Sequence, residues 1–280
     1  MKNTSYPLNN TYNITPLCLT KTELNKISTL LNYVFNSELF TTDYLSWLYN
    51  ENPSGKAVGY NAYLNKELVA HYATIPVEYI FSNKKYAGLL SLNTATSPQH
   101  KGKGLFTKLA SKTYITASDN GFDFIIGVAN QNSTDAFIKK LGFELISSLK
   151  VNLGIGPIKQ QTTHKEHLKR NWNNNTLTWR LKNPNKNYFT YKKQLSSKSN
   201  YPLINVLLHS NINNQYNLPR EKSRVQITMG HNINSKHLLS IPIPTKLRPS
   251  PLNLIFKPLN KEIHQLKDKI QLYPLDFDAY

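Results

Sequence analysis

The sequence predicts an α/β (α+β) fold: a mixed, mostly antiparallel sheet with helices on both faces, followed by a second lobe that echoes the first. Three observations carry this. In the first half the apolar periodicity alternates between helical and strand-like in the order ααββββαβαβ. A long strand there runs into a glycine-containing turn and then an amphipathic helix. Leu45-Ser46-Trp47 followed by Asn52-Pro53 also returns, with the spacing changed by one residue, as Leu177-Thr178-Trp179 followed by Asn183-Pro184.

Residues 1–19 read as a loose, Asn- and Thr-rich arm. Thr20 and Glu23 have capping-box spacing, and Leu24, Ile27, Leu30, Leu31 and Val34 follow on one helical face. A short helix over 43–49 stops before Asn52-Pro53. Strands at 57–64 and 67–73 flank the Asn65-Lys66 turn, and strands at 77–81 and 86–96 flank a turn at 82–84. The turn Pro98 to Gly104 leads into a helix over 105–118. A buried strand at 122–128 comes next, then a short helix from Ser133 to a Gly142 C-cap, then a strand over 143–153. The division expected is an arm at 1–19, a first domain at 20–155 and a second lobe at 156–280.

Composition narrows the function classes. With 39% hydrophobic residues in 280, the chain can bury a sizeable core and is not disordered. The net charge of +18 suits polyanionic partners. The lysines are scattered rather than set in a basic stripe, so small polyanions are expected and specific nucleic acid is not. Cys18 is the single cysteine, which excludes an internal disulfide and cysteine zinc sites and points to a reducing, cytoplasmic setting. The polar start gives no signal peptide, no apolar run spans a membrane, and no metal cluster is evident.

Lys101-Gly102-Lys103-Gly104-Leu105-Phe106 lies between strand and helix. Glycines let a backbone approach an anion, helix amides point at it, and two lysines add charge. One strand later, Asn130 to Ser133 opens a helix that ends in Leu141-Gly142-Phe143. Together these segments, over residues 20–153, resemble the GNAT superfamily of acyl-CoA N-acyltransferases, in which a [Gln/Arg]-x-x-Gly-x-[Gly/Ala] loop binds the CoA pyrophosphate.

The resemblance implies acyl-CoA as co-substrate, no metal, and direct attack of an amine on the thioester without an acyl-enzyme. It implies that Lys101, Gly102, Lys103, Gly104, Leu105 and Phe106 hold pyrophosphate, with Asn130 and Ser133 nearby, and that Thr94 and Thr96 offer backbone groups to pantetheine. The sequence departs from the pattern in three places. Lys101 replaces Gln or Arg, Phe106 replaces Gly or Ala, and Ile138 stands where many members have a Tyr acid. His71 is the candidate base, set against a role as a packed core residue. Asn93, on the strand that feeds the loop, is the candidate to hold amine or acyl group, set against simple strand pairing. The two-lobed form resembles nucleotide-sugar N-acyltransferases of bacterial surface-polysaccharide pathways. These acylate a nucleotide-linked, typically dTDP-linked, amino-deoxy sugar. Tyr188, Tyr191, Tyr201 and Tyr216 offer stacking surfaces, and the tail from Asp276 to Tyr280 offers carboxylates. The alternatives are a tandem-GNAT transferase acting on an amino acid or peptidoglycan precursor, and a catalytically inactive GNAT-like binding protein. Oligomeric state is not legible.

Overall fold

The computed structural model describes residues 11–160, 165–199, 201–212, 216–233, 235–248 and 250–277. The first half contains β1 (Asn13–Pro16), α1 (Lys21–Phe35), α2 (Thr42–Asn50), β2 (Val58–Leu64), β3 (Glu67–Phe81), β4 (Lys84–Thr96), α3 (Leu105–Asp119), β5 (Phe124–Asn130), α4 (Gln131–Leu141), β6 (Glu144–Ser148) and β7 (Lys150–Gln160). The second contains β8 (Lys169–Arg170), α5 (Asn174–Leu181), β9 (Tyr188–Tyr191), β10 (Gln194–Lys198), β11 (Ile204–His209), β12 (Val225–Gly230), β13 (Ser235–Pro242), β14 (Leu252–Pro258) and α6 (Lys261–His264).

Local chemistry explains most boundaries. The Thr20 side chain accepts from the Glu23 amide at the start of α1, and Thr41 does the same for Tyr44 at the start of α2. Gly142 ends α4 in the left-handed region at φ 68°, as its position requires. Two expectations are corrected. Residues 13–16 of the supposed loose arm pair with β2, from Asn13 opposite Tyr63 to Pro16 opposite Tyr60. The two strands expected on either side of Pro76 are one continuous strand, β3. It tolerates Pro76 because β2 pairs only as far as Thr74 and β8 begins at Tyr79, so the missing amide falls where that side has no partner.

The sheets do not respect the division expected near residue 155. The first has the order β1-β2-β3-β4-β5-β14-β6, with β8 beside β3; the second has the order β13-β7-β12-β11-β10-β9. Each runs through an antiparallel meander (β2-β3-β4, β9-β10-β11), one parallel step (β4-β5, β11-β12) and two antiparallel pairings. The strand after each parallel step comes from the other half of the chain: β14 completes the first sheet and β7 the second. The second lobe is thus a reduced repeat of the first. Among the described residues no helix separates β11 from β12, where the first lobe has its glycine turn and α3.

The sequence echo lies at the join. Trp47 and Trp179 stack at 4.9 Å and 17°, and each indole Nε1 donates to the other's backbone carbonyl at 2.9 Å. Asn52 and Asn183 make the same turn, each side chain accepting from the amide two residues on. Both indoles are buried. Trp47→Ala or Trp179→Ala is expected to cost about 3–5 kcal/mol of stability. The double variant should cost less than the sum of the singles, because removing one ring already ends the stacking. Urea denaturation measures both effects; additive losses would show that the contact is not cooperative.

Candidate functional site

The site forms where β4 and β5 part. These parallel strands pair only from Gly88–Ser91 with Phe124–Gly127, yet β4 continues to Thr96 and β5 to Asn130. The wedge persists because each wall is satisfied on its outer side. β3 pairs with β4 up to Thr96, and β14 pairs with the whole of β5. The inner backbone groups of both walls therefore face a gap that a polar chain can enter. Thr94 and Thr96 lie on the β4 wall. At Asn93 and Thr94 that wall bulges: the register slips between Ala73 opposite Leu92 and His71 opposite Ala95, and Asn93 takes φ 49°.

The glycine turn lies beyond the wedge. Pro98–His100 form a short 3₁₀ turn, and Gly102 and Gly104 follow at φ 76° and 70°. Gly104 is the N-cap of α3 and has no side chain to accept the first amides. By contrast α1, α2, α4, α5 and α6 are capped by Thr20, Thr41, Asn130, Asn173 and Asn260. A Cβ on Gly102 would meet nothing within 4 Å, and one on Gly104 only Thr107 Oγ1 at 3.8 Å. Protein packing thus does not require these glycines; the left-handed backbone and open space for an anion do. Lys101 and Lys103 are exposed beside the turn. A groove of about 350 Å³ along α3 adds Lys108 and Lys112.

The other expected residues divide by role. Leu105 is buried, and Phe106 packs edge-on against Tyr72 and Phe137 at 6.1 and 5.2 Å, so both can serve an anion only through their amides. The Asn130 side chain accepts from the Ser133 amide and hydroxyl, each at 3.0 Å, so this pair fixes the start of α4 at the rim of the wedge. His71 is fully buried. Its Nδ1 lies 2.7 Å from Asn61 Oδ1 and its Nε2 lies 3.0 Å from the Tyr49 hydroxyl. Burial pulls its pKa from the ordinary 6.5 to about 3. His71 is neutral, saturated with hydrogen bonds and shielded, so the structure does not place it as a base in contact with an amine. Asn93 donates to the same Tyr49 hydroxyl at 2.9 Å.

Sequence reasoning missed Tyr49 and Asn61. The available signal was a pair of polar residues, Asn61 and His71, facing each other across an apolar hairpin. Of the four tyrosines, Tyr188 is buried and Tyr216 donates to Asn174, whereas Tyr191 and Tyr201 are exposed. Asp276 is buried and accepts from Trp172 Nε1 and the Tyr273 amide, so it is not presented to a substrate; 278–280 lie outside the described residues. Among the described residues no group of three or more His, Cys, Asp and Glu could hold a metal. Among the described residues no helix is long and apolar enough to cross a membrane.

Residues 18–146 match the acetyltransferase (GNAT) domain family. That match falls on the first lobe, from just before α1 into β6. No curated protein matches it. Three solved structures share the fold across both lobes. A probable N-acyltransferase from Enterococcus faecalis V583, described as a conserved protein of unknown function, is 11% identical with TM-score 0.57, covering 89% of this chain and 71% of that one. A GCN5-related N-acetyltransferase from Anabaena variabilis ATCC 29413 is 11% identical with TM-score 0.58, covering 89% and 73%. Another from Kribbella flavida is 8% identical with TM-score 0.57, covering 88% and 72%. At these identities the likeness is one of fold.

Two outcomes test this geometry. Gly102→Val or Gly104→Val should weaken CoA binding at least about tenfold by titration calorimetry, because a branched residue strains the left-handed backbone and fills the anion's space. Unchanged affinity in both would refute the assignment of the turn. The second outcome is an acid dependence of stability. The folded pKa of His71 lies below its unfolded value, so on acidification the unfolded chain takes the proton first. The His71 contribution is complete above about pH 6.5 and declines toward pH 3 at about 1.4 kcal/mol per pH unit. Denaturation midpoints should fall across that window, and less steeply in His71→Gln.

Proposed function

We propose that this GNAT-type protein moves an acyl group from acyl-CoA to the amine of a nucleotide-linked amino-deoxy sugar, of the dTDP-linked class, in surface-polysaccharide synthesis. One observation carries the donor half: α3 alone among the described α-helices starts without a side-chain cap, at the mouth of the wedge and beside two lysines. Uncapped amides, open glycines and cationic side chains form the donor set a pyrophosphate needs. The unpaired inner edges of β4 and β5 suit the amides of a pantetheine arm.

The acceptor half is supported by the two-lobed architecture and by the +18 charge, which suits two polyanionic substrates. Among the described residues the second lobe has no helix between the two strands of its parallel step, so in this reading the first lobe takes the acyl donor and the second is left to the acceptor. A cytoplasmic setting accompanies this reading, consistent with the free, exposed Cys18.

The chemistry is direct attack. The amine nitrogen bonds to the thioester carbonyl carbon, the C–S bond breaks, and sulfur leaves with the electron pair. In this reading the backbone amides at the Asn93–Thr94 bulge stabilise the charge that the carbonyl oxygen gains. Ile138 occupies the place of the family's acid, and a thiol of pKa roughly 8.5 leaves readily as thiolate, taking its proton from solvent. The amine's excess proton also goes to solvent. The protein contributes chiefly positioning, which can supply roughly 7–11 kcal/mol.

A thiol-release assay with acetyl-CoA and a panel of nucleotide-linked amino sugars tests the reading. Initial-rate plots at several fixed amine concentrations should intersect, and Cys18→Ser should keep nearly full activity. Parallel double-reciprocal lines, or an acylated protein, would refute direct attack. No thiol release with any sugar, alongside tight CoA binding, would refute the acceptor.

A further inference from the structure

Six side chains form an unbroken hydrogen-bonded chain from the surface end of α1 to the bulge of β4: Glu23, Tyr63, Asn61, His71, Tyr49 and Asn93. Most of it is buried; His71, Asn61 and Tyr49 have no exposed surface. The direction of such a chain follows from what each group can donate.

Glu23 is the one member that can only accept. Burial pushes its carboxyl up, but hydrogen bonds from Lys26 and Tyr63 outweigh this and hold it below the ordinary value, so it is a carboxylate at neutral pH. Tyr63 must therefore donate to it. Burial and the Glu23 bond push the Tyr63 phenol up to about 12, so it keeps its proton. Its hydroxyl oxygen is then left to accept from Asn61 Nδ2, at 3.2 Å. That turns Asn61 Oδ1 toward His71, whose Nδ1 must carry the hydrogen across 2.7 Å. A neutral imidazole with Nδ1–H has a bare Nε2, so Tyr49 donates to it. The Tyr49 oxygen accepts from Asn93 Nδ2 at 2.9 Å. The remaining polar atom of Asn93, its Oδ1 carbonyl, has no partner among the described residues.

This polarity matters to an amine nucleophile. A carbonyl engages the amine's N–H and leaves its lone pair free to attack. An amide turned the other way would present NH₂ and occupy that lone pair. We propose that Glu23, through Tyr63, Asn61, His71 and Tyr49, locks the Asn93 amide with its carbonyl toward the incoming amine, so that these are positioning residues for the acceptor. The inference rests on the acyl-transfer reading of this site for its purpose, though not for its direction.

The tautomer of His71 reports the direction without any substrate. In protein labelled with ¹⁵N-histidine, multiple-bond ¹H–¹⁵N spectra should show His71 as the Nδ1–H form, assigned by its contacts to the Tyr49 ring. Glu23→Gln supplies a donor where only an acceptor stood and lets the chain reverse, so an Nε2–H form should appear. Tyr63→Phe severs the same link and should loosen the preference likewise. An Nε2–H tautomer in the unaltered protein, or an unchanged Nδ1–H tautomer in both variants, would overturn the proposal. A kinetic arm uses acetyl-CoA and hydroxylamine, a small amine largely unprotonated at neutral pH. Tyr49→Phe should raise the KM for hydroxylamine about tenfold, the scale of one lost hydrogen bond, and leave that for acetyl-CoA unchanged. An equal rise for both substrates would overturn the positioning role. If the unaltered protein releases no thiol with hydroxylamine, the positioning role falls together with the transfer reading, while the tautomer still decides the direction of the chain.

Discussion

Each half of this chain leaves a gap in its own sheet that the other half must fill. In the first sheet the gap lies between β5 and β6, and β14 closes it with Leu254, Ile255 and Phe256 buried. In the second sheet β7 does the same beside β12. The exchange makes the lobes interdependent: neither sheet is saturated with hydrogen bonds unless both halves have folded. The Trp47–Trp179 stack adds a reciprocal contact at the join, in which each indole satisfies a backbone carbonyl of the other helix in a buried setting.

The exchange also builds the site. Parallel strands part only where their outer edges are already paired, since unpaired buried backbone is costly. β3 holds the outer edge of β4 and β14 that of β5, so the inner edges are free to diverge beyond Ser91 and Gly127. Without β14 the outer edge of β5 would be bare. The domain at 18–146 thus depends on a strand more than a hundred residues further along.

The site's polarity follows from the same accounting. Burying His71 and Asn61 in an apolar hairpin, against Tyr49 of α2, is tolerable only because each donor meets an acceptor. One half-buried carboxylate at the end of such a chain then orients every group along it. The glycine turn shows the complementary economy: α3 forgoes a side-chain cap that the other described α-helices possess, leaving its amides for an anion.

By itself the sequence determined most elements of the first lobe, the glycine turn at the head of α3, the helical caps and the Trp/Asn-Pro repeat, because all of these are local; it did not show that the strand read over 143–153 divides between two sheets as β6 and β7. Capping, turn chemistry and periodicity act within a few residues. It also misjudged where locality ends: Pro76 read as a strand break, and 13–16 as loose, because neither segment shows which edge is free to pair. Only the tertiary structure decided that β14 and β7 change places, that β4 and β5 part at Ser91, and that His71 is shut in the core behind Tyr49. Those outcomes depend on which edges and polar groups remain unsatisfied after distant segments meet, and no single stretch of sequence contains that information.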